Sequence, residues 1–241
     1  MKRPSVEAMV VVVPVRNEAD LLERCLVALT SAVRTAEAAH LRCEVRIVLD
    51  ACTDASEQIA ARSGLPLLIC DAARVGIARA VGIDDALRAL DGVPADRVWI
   101  AGTDADSQVP TNWLAHQREV ARVADVCLGT VRPDFDDLLP AQREQWLRTH
   151  PRGKPNGNVH GANLGVRART YLDAGGFAPM GEHEDVDLVA RCRRIGAVVV
   201  ASDEAEVMTS GRVVGRTPGG YAGFLRRQAS ELVGDASGES T

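Results

Sequence analysis

The sequence has few aromatic residues: three Trp, two Tyr and three Phe among 241 residues. Leu, Val, Ile and Ala must therefore fill most of the core, and the length fits one large α/β domain or at most two small ones. No apolar run approaches the roughly 20 residues that a membrane-spanning helix needs. We therefore expect at most peripheral contact with a membrane.

The sequence also lacks the cysteine and charge patterns of several protein classes. Its six cysteines form no Cys-x-x-Cys pair and no metal-like cluster with histidine. Several lie in apolar patterns, where a reduced Cys acts as a small hydrophobe, and Pro4 and Glu7 interrupt any signal peptide. The net charge is −5 without a long Lys/Arg block, so no nucleic-acid partner is expected. These features predict a cytoplasmic protein.

Two common phosphate-binding loops are missing. No G-x-G-x-x-G follows the first predicted strand, which disfavours a dinucleotide site. No G-x-x-x-x-G-K-[ST] loop is present either, which argues against a P-loop NTPase.

What the sequence does contain is a repeated alternation of apolar strands and amphipathic helices, which predicts a Rossmann-like α/β fold with a doubly wound, mostly parallel sheet. The predicted strands of the first half are 9–15, 45–49, 65–70, 98–102 and 126–130. Beyond residue 131 we expect a long, partly mobile segment at 132–158 with a helical patch at 141–147, a strand at 160–166, helices at 169–174, 184–195 and 219–233, and short strands at 198–201 and 206–209.

The strand at 98–102 is followed by two carboxylates, Asp104 and Asp106, with one residue between them. In an extended chain, residues i and i+2 point to the same side, roughly 7 Å apart. Two like charges at this distance repel each other unless a cation is near, and a hard ion such as Mg²⁺ or Mn²⁺ suits them. The alternative is a solvated loop that caps the next helix.

Polar turns follow four of the predicted strands. These turns are 16–20, 50–56, 74–79 and 103–107. Because open α/β sheets hold ligands at the carboxyl ends of their strands, a nucleotide could lie across this edge. Asp50 would accept hydrogen bonds from the base or ribose, Gly76 would allow close backbone approach, and Arg79 would counter a phosphate or contact the base. Each turn alone is more simply a strand end or helix cap, but the four together favour a nucleotide site.

Seven short segments in this order resemble the motifs of the family 2 glycosyltransferases, which have the GT-A fold, and the resemblance runs over about 9–221. The segments are V-V-P-V-R-N-E at 12–18, V-L-D-A-C-T-D at 48–54, G-I-A-R-A at 76–80, T-D-A-D at 103–106, G-A-N-L-G-V-R at 161–167, G-G-F at 175–177 and E-D-V-D-L at 184–188. Leu49, Ala51 and Ala80 depart from the family's patterns, and the Q-x-x-R-W signature of processive polysaccharide synthases is missing.

The resemblance implies a glycosyltransferase that moves a sugar from a nucleotide-diphosphate donor to an acceptor hydroxyl, with Mg²⁺ or Mn²⁺ as cofactor. A UDP-sugar is the favoured donor and GDP-mannose is next. An inverting, non-processive reaction is expected, while retention stays open. The acceptor would be a small molecule or lipid-linked, and the oligomeric state stays open, with a homodimer admitted.

The resemblance also implies roles for individual residues. Asp104 and Asp106 would engage the metal, and Asp185 would deprotonate the acceptor hydroxyl, unless it only meets the helix dipole. The nucleotide-binding residues would be Pro14, Arg16, Glu18, Asp50, Gly76, Arg79 and Asp104. The donor-sugar and acceptor residues would be His160, Gly161, Asn163, His183 and Glu184. Arg212 and Arg216 would close over the diphosphate, or form a solvated basic turn.

We therefore expect one GT-A domain at 1–233, with a nucleotide-binding half at about 9–130, a smaller acceptor-side half at 131–233 and a disordered tail at 234–241. Two other functions stay open. A sugar-phosphate nucleotidyltransferase would also use a carboxylate-bound metal, but it should carry a Gly-rich loop after its first strand. The departures at Leu49, Ala51 and Ala80 leave a degenerate, non-catalytic nucleotide-binding protein as the other.

Overall fold

The computed structural model describes residues 3–215 and 220–238, with side chains up to residue 230. The strands in these ranges are β1 (Ala8–Val15), β2 (Arg42–Asp50), β3 (Leu67–Cys70), β4 (Val98–Gly102), β5 (Ser107–Gln108), β6 (Val126–Pro133), β7 (Leu164–Arg167) and β8 (Val199–Thr209). The α-helices are α1 (Leu22–Ala38), α2 (Ser56–Arg62), α3 (Val75–Ala89), α4 (Trp113–Val120), α5 (Pro140–Thr149), α6 (Ala168–Asp173), α7 (Glu184–Arg194) and α8 (Tyr221–Gly238).

The eight described strands form one sheet in the order β3-β2-β1-β4-β7-β6-β8-β5. β1 pairs in parallel with β2 and β4, β2 with β3, and β6 with β8. β7 is antiparallel to both β4 and β6, and β5 is antiparallel to β8. Six of these strands therefore run in one direction, which confirms the predicted α/β fold with a mostly parallel sheet.

Both faces of β1 are buried, because helices cover the sheet on its two sides. Val11, Val13 and Val15 pack with α1, whereas Val10 and Val12 point to the opposite side and pack with α3, as the alternation of a strand requires. A Cβ at Gly82 of α3 would lie 2.6 Å from Val12 Cγ1, so the absence of a side chain there lets α3 pack closely on β1. This packing brings the carboxyl ends of β1, β2 and β4 to one edge of the molecule.

The structure differs from the sequence prediction in the second half of the chain. The predicted strand at 160–166 is wrong in its first part, because Gly161–Asn163 form a 3₁₀ turn and β7 begins at Leu164. The two short strands predicted at 198–201 and 206–209 are one strand, β8, since β6 pairs with it on both sides of a bulge. β5 was not predicted, and it has only two residues.

The segment at 132–158 and the C-terminal region also differ from the prediction. The former contains the end of β6, a 3₁₀ turn at 135–137 and α5, which includes the predicted helical patch. α8 extends to Gly238 and so includes part of the predicted tail, while 239–241 lie outside the described residues. None of the described helices combines the length and the apolarity needed to cross a bilayer.

Candidate active site

A cavity of about 510 Å³ includes the carboxyl ends of β1, β2 and β4. Thirteen of the residues predicted from the sequence line it. They are Pro14, Arg16, Glu18, Asp50, Arg79, Asp104, Asp106, His160, Gly161, His183, Glu184, Asp185 and Arg212. Arg216 lies outside the described residues.

Asp104 and Asp106 reach this cavity from a turn rather than from extended chain. The Ser107 amide donates to the Asp104 carbonyl oxygen (3.1 Å), so the extended conformation that we expected for this segment is wrong, although both residues line the same cavity. Asp104 Oδ1 accepts a hydrogen bond from Arg79 Nη2, and Asp106 Oδ2 accepts one from Arg212 Nη2 (2.8 Å). Each carboxylate is thus paired with a different arginine.

Negative charge is concentrated around Asp106. Burial, together with the nearby carboxylates of Asp104 and Glu18, raises the pKa of Asp106 to about 6, against the opposing effect of Arg212. This largely buried carboxylate, 16% exposed, therefore carries an electrostatic penalty that an additional cation would relieve.

The donor atoms of this region fit a hard divalent cation. Within the described ranges, no group of three or more His, Cys, Asp or Glu side chains is arranged to hold a metal by itself. Mg²⁺, however, is commonly held by one or two carboxylates and completes its shell with water and phosphate oxygens. Asp104 and Asp106 supply such a pair, and a cation between them would reduce the repulsion that raises the pKa of Asp106.

Arg212 closes the cavity from the segment after β8. Its Nη1 donates to Glu18 Oε2 (2.9 Å) and its Nη2 to Glu18 Oε1 (2.7 Å), while Nη2 also reaches Asp106. These hydrogen bonds raise the pKa of Arg212. Arg212 is therefore not the solvated side chain that the alternative interpretation predicts.

Asp50 and Arg16 shape the loop that precedes α3. Asp50 Oδ1 accepts hydrogen bonds from the amides of Ala72 (2.9 Å) and Ala73 (2.8 Å), and Oδ2 accepts one from the amide of Arg74 (2.9 Å). Arg16 Nη1 donates to the Ala73 carbonyl oxygen (3.1 Å). Asp50 thus has a structural task that we did not predict, in addition to its place in the cavity wall.

Arg79 connects the end of β4 to the start of α7. Besides Asp104, it contacts Glu184, with 3.3 Å between Arg79 Nε and Glu184 Oε1, and its side chain is 3% exposed. Burial lowers the pKa of Arg79, but the carboxylates of Asp104, Glu184 and Asp185 outweigh this effect and the net shift is upward. A Cβ at Gly161 would lie 2.5 Å from Arg79 Nη2, so Gly161 makes room for the guanidinium.

Asp185, His183 and His160 lie on the α7 side of the cavity. Asp185 is half-buried and its Oδ1 accepts a hydrogen bond from the Val186 amide (2.8 Å), which fixes the carboxylate in the first helical turn. His183 precedes the helix with a left-handed backbone (φ 61°). Burial lowers the pKa of His160, and its ring lies edge-on to Tyr221 with 5.8 Å between the centroids.

Two predicted site residues have packing roles instead. Asn163 Oδ1 accepts a hydrogen bond from Trp113 Nε1 (2.9 Å), and its Nδ2 donates to the carbonyl oxygens of Thr130 and Ala205 (3.0 Å each). Gly76 lies against the backbone of Ala178, where a Cβ would overlap the carbonyl oxygen. Neither lines the cavity, so the sugar contact expected of Asn163 and the nucleotide contact expected of Gly76 are replaced by contacts within the protein.

Sequence reasoning missed the aromatic part of the cavity wall. His150, Tyr221 and Phe224 line the cavity, and the rings of Tyr221 and Phe224 stack with 5.9 Å between centroids. The apolar spacing of α8 predicted a helix, but only its packing near α5 shows that these rings face the cavity. The one available hint was that aromatic residues are rare in this chain.

The family model described as Glycosyl transferase family 2 matches residues 10–171. No curated protein matches the chain.

Solved structures show a similar fold. Mannosyltransferase PcManGT from Pyrobaculum calidifontis, in complex with GDP-Man and Mn²⁺, is 23% identical over 96% of this chain and 62% of its own, with a TM-score of 0.61. S. aureus TarS 1-349 in complex with UDP-GlcNAc is 15% identical over 89% and 61%, with a TM-score of 0.59. Glucosyl-3-phosphoglycerate synthase from Mycobacterium tuberculosis, in complex with Mg²⁺ and UDP, is 15% identical over 86% and 72%, with a TM-score of 0.55.

These likenesses confirm the GT-A fold. The chain spans 36% of the longer S. aureus TarS structure and 60% of the shorter one, so it corresponds to only part of those proteins.

Proposed function

The chain belongs to glycosyl transferase family 2, and we propose that it moves a sugar from a UDP-sugar to an acceptor hydroxyl, with inversion and without processive synthesis. The observation that carries this proposal is the convergence of Glu18, Asp104, Asp106 and Arg212 in one cavity that also contains Asp185. In this cavity, the carboxylates of Asp104 and Asp106 could bind a metal ion, and the guanidinium of Arg212 could bind phosphate. The carboxylate of Asp185 lines the same cavity and could act as the base.

The donor is assigned to the β1–β2–β4 edge of the cavity. Pro14, Asp50 and Val75 line this part and would surround the nucleoside. Two of the similar structures were determined with UDP or a UDP-sugar, which supports UDP. The mannosyltransferase was determined with GDP-Man and Mn²⁺, so GDP-mannose is the second candidate donor.

Asp104 and Asp106 would hold Mg²⁺ or Mn²⁺ against the donor diphosphate. When bound, such a cation supplies Lewis-acid stabilisation of the charge that develops on the departing nucleoside diphosphate. Arg212 would donate hydrogen bonds to the same oxygens, because a guanidinium binds phosphate in the fork geometry that it now uses for Glu18.

Asp185 would accept the proton of the acceptor hydroxyl as the oxygen attacks the sugar. The hydrogen bond from Val186 to Oδ1 fixes the side chain, and no other hydrogen bond to this carboxylate is found among the described residues. A base needs only hydrogen-bond reach and a suitable pKa. In-line attack on the face opposite the leaving group inverts the sugar's configuration.

Calorimetry of UDP and GDP binding, with and without Mn²⁺ or Mg²⁺, tests the donor site. The wild type should bind one diphosphate in a metal-dependent manner, and Asp104→Asn/Asp106→Asn should lose that binding. The matched control is Asp84→Asn/Asp91→Asn, which removes two exposed carboxylates from α3 and the turn after it. Incubation with the matching nucleotide sugar and candidate acceptors, followed by NMR of the product anomer, then tests transfer and inversion.

The proposal fails if the folded wild type binds neither diphosphate, or if binding is the same without metal and in the Asp104/Asp106 variant. Metal-dependent binding without sugar transfer to any acceptor or water would instead favour the non-catalytic nucleotide-binding protein.

A further inference from the structure

The charge of the chain is unevenly distributed. Segments 139–158 and 210–230 together hold eight of the 28 basic residues and one of the 33 acidic residues. The remainder therefore has 20 basic and 32 acidic residues. A protein with a net charge of −5 thus contains two strongly basic segments.

These two segments meet in the structure. Gln142 Nε2 of α5 donates to the Leu225 carbonyl oxygen of α8 (3.2 Å) and so joins the two segments. Within the second segment, Arg226 Nη1 donates to the Val213 carbonyl oxygen (3.4 Å). We call the surface formed by 139–158, 210–215 and 220–230 the basic face. Its exposed basic side chains are Arg143, Arg148, Arg152, Lys154, Arg226 and Arg227.

Apolar side chains are also exposed in these segments. They are Leu139, Leu147, Val213, Val214 and Phe224, and Val214 is 75% exposed. Basic residues interspersed with exposed apolar residues are typical of surfaces that lie at the headgroup level of a membrane. Nucleic acid would pair with the positive charges but would gain little from exposed Leu and Val, so this combination favours lipid.

We propose that the basic face binds the surface of an anionic lipid bilayer. The arginines would lie among the anionic headgroups, while Leu147 and Val214 enter the boundary with the acyl chains. The proposal does not depend on the proposed transferase activity. It does have a consequence for that activity, because His150, Asn158 and Phe224 belong to the basic face and also line the cavity. A bound membrane would therefore lie beside the active site.

Flotation of the purified full chain with lipid vesicles tests the proposal. The wild type should float with vesicles of phosphatidylcholine and phosphatidylglycerol, should not float with phosphatidylcholine alone, and should be released by high salt. Arg226→Glu/Arg227→Glu should weaken binding at least about tenfold, because each basic side chain near an anionic surface contributes severalfold. Leu147→Ser/Val214→Ser should weaken binding by about tenfold as well, through lost apolar contact.

The matched controls make the same kinds of substitution at exposed residues outside the basic face. Arg34→Glu/Arg62→Glu reverses two exposed charges outside the basic face, and Val27→Ser/Ile69→Ser removes two side chains that are 67% and 79% exposed. Both controls should bind vesicles like the wild type, and thermal unfolding should show that all variants fold.

Three results would overturn the proposal. The first is equal flotation with both vesicle types, or with neither. The second is equal weakening in the variants and their controls. The third is binding of a DNA oligonucleotide that matches vesicle binding and is unchanged in Leu147→Ser/Val214→Ser, since this would identify a general polyanion site.

Discussion

Arg212 and Glu18 lie 194 positions apart in the chain and share two hydrogen bonds, of 2.9 Å and 2.7 Å. The same guanidinium contacts Asp106 at 2.8 Å. Arg212 therefore contacts the carboxylate cluster to which we assign the metal and diphosphate. Donor binding and this ion pair must be coupled, because one guanidinium cannot keep both sets of partners unchanged.

Replacing Arg212 tests whether its hydrogen bonds pass to the donor. Arg212→Met should reduce the affinity for the nucleoside diphosphate at least about tenfold, because a hydrogen bond between charged groups contributes roughly 1.5–3 kcal/mol. Calorimetry in the presence of Mn²⁺ measures the change. Arg226→Met, which removes an exposed arginine of α8, is the control. Unchanged or tighter binding by Arg212→Met would show that this residue only occupies the site in the absence of donor.

Asp106 should destabilise the free protein at neutral pH. Its pKa is about 6 in the folded state and near 3.8 in the unfolded state, so the folded protein holds a proton that the unfolded protein has released between these values. Stability contributed by this group is therefore lost as the pH rises from about 4 to about 6. Asp106→Asn should raise the free energy of unfolding at pH 7 by about 1–3 kcal/mol and flatten its dependence over this window.

Urea unfolding between about pH 4 and about pH 7 measures this effect. The exposed Asp136 provides the control, since Asp136→Asn should leave the pH dependence like that of the wild type. A less stable Asp106→Asn would mean that the hydrogen bonds of the carboxylate outweigh its burial and its repulsion by Asp104 and Glu18.

The buried contact of Arg79 with Glu184 should show strong coupling. Arg79→Met leaves the Glu184 carboxylate, 7% exposed, without its buried cationic partner, and should cost about 3–5 kcal/mol of stability. Glu184→Gln should cost less, and the double variant should cost less than the sum of the two. Arg169 and Asp173 provide the comparison, since their charged groups are 3.7 Å apart and both side chains are more than half exposed. The same set of two single variants and one double variant should give a coupling energy below about 0.5 kcal/mol for them. Additive effects at Arg79 and Glu184 would show that they do not interact energetically.

Asp185→Asn tests the assignment of the base. Transfer to the acceptor should fall by about 10²–10⁴-fold, whereas binding of the nucleoside diphosphate should be unchanged. The comparison is Asp187→Asn in the same helical turn, since the Asp187 carboxylate pairs with Arg191 at 2.7 Å and does not line the cavity. If the two variants transfer sugar at equal rates, Asp185 is not the base.

Residues close together in sequence were predicted best. The valines of β1 and the spaced leucines of α1 indicated a buried strand and an amphipathic helix because their periodicity is local. The 3₁₀ turn at 161–163 was missed because it depends on contacts with residues that are far away in the chain. Gly161 faces the guanidinium of Arg79, and Asn163 is held by Trp113 together with the backbones of β6 and β8.

The sequence by itself determined the alternation of strands and helices, the edge at which the polar turns meet, and nearly all the charged residues of the cavity wall. The first two depend on local periodicity and on the common direction of parallel strands, whereas the wall residues beyond the four polar turns came from the family resemblance. The tertiary structure alone decided the partners of the charged groups. Arg79 joins Asp104 to Glu184, and Arg212 joins Glu18 to Asp106, because helices and strands far apart in the chain pack together. Such pairs have no sequence period, since they depend on how whole elements are oriented.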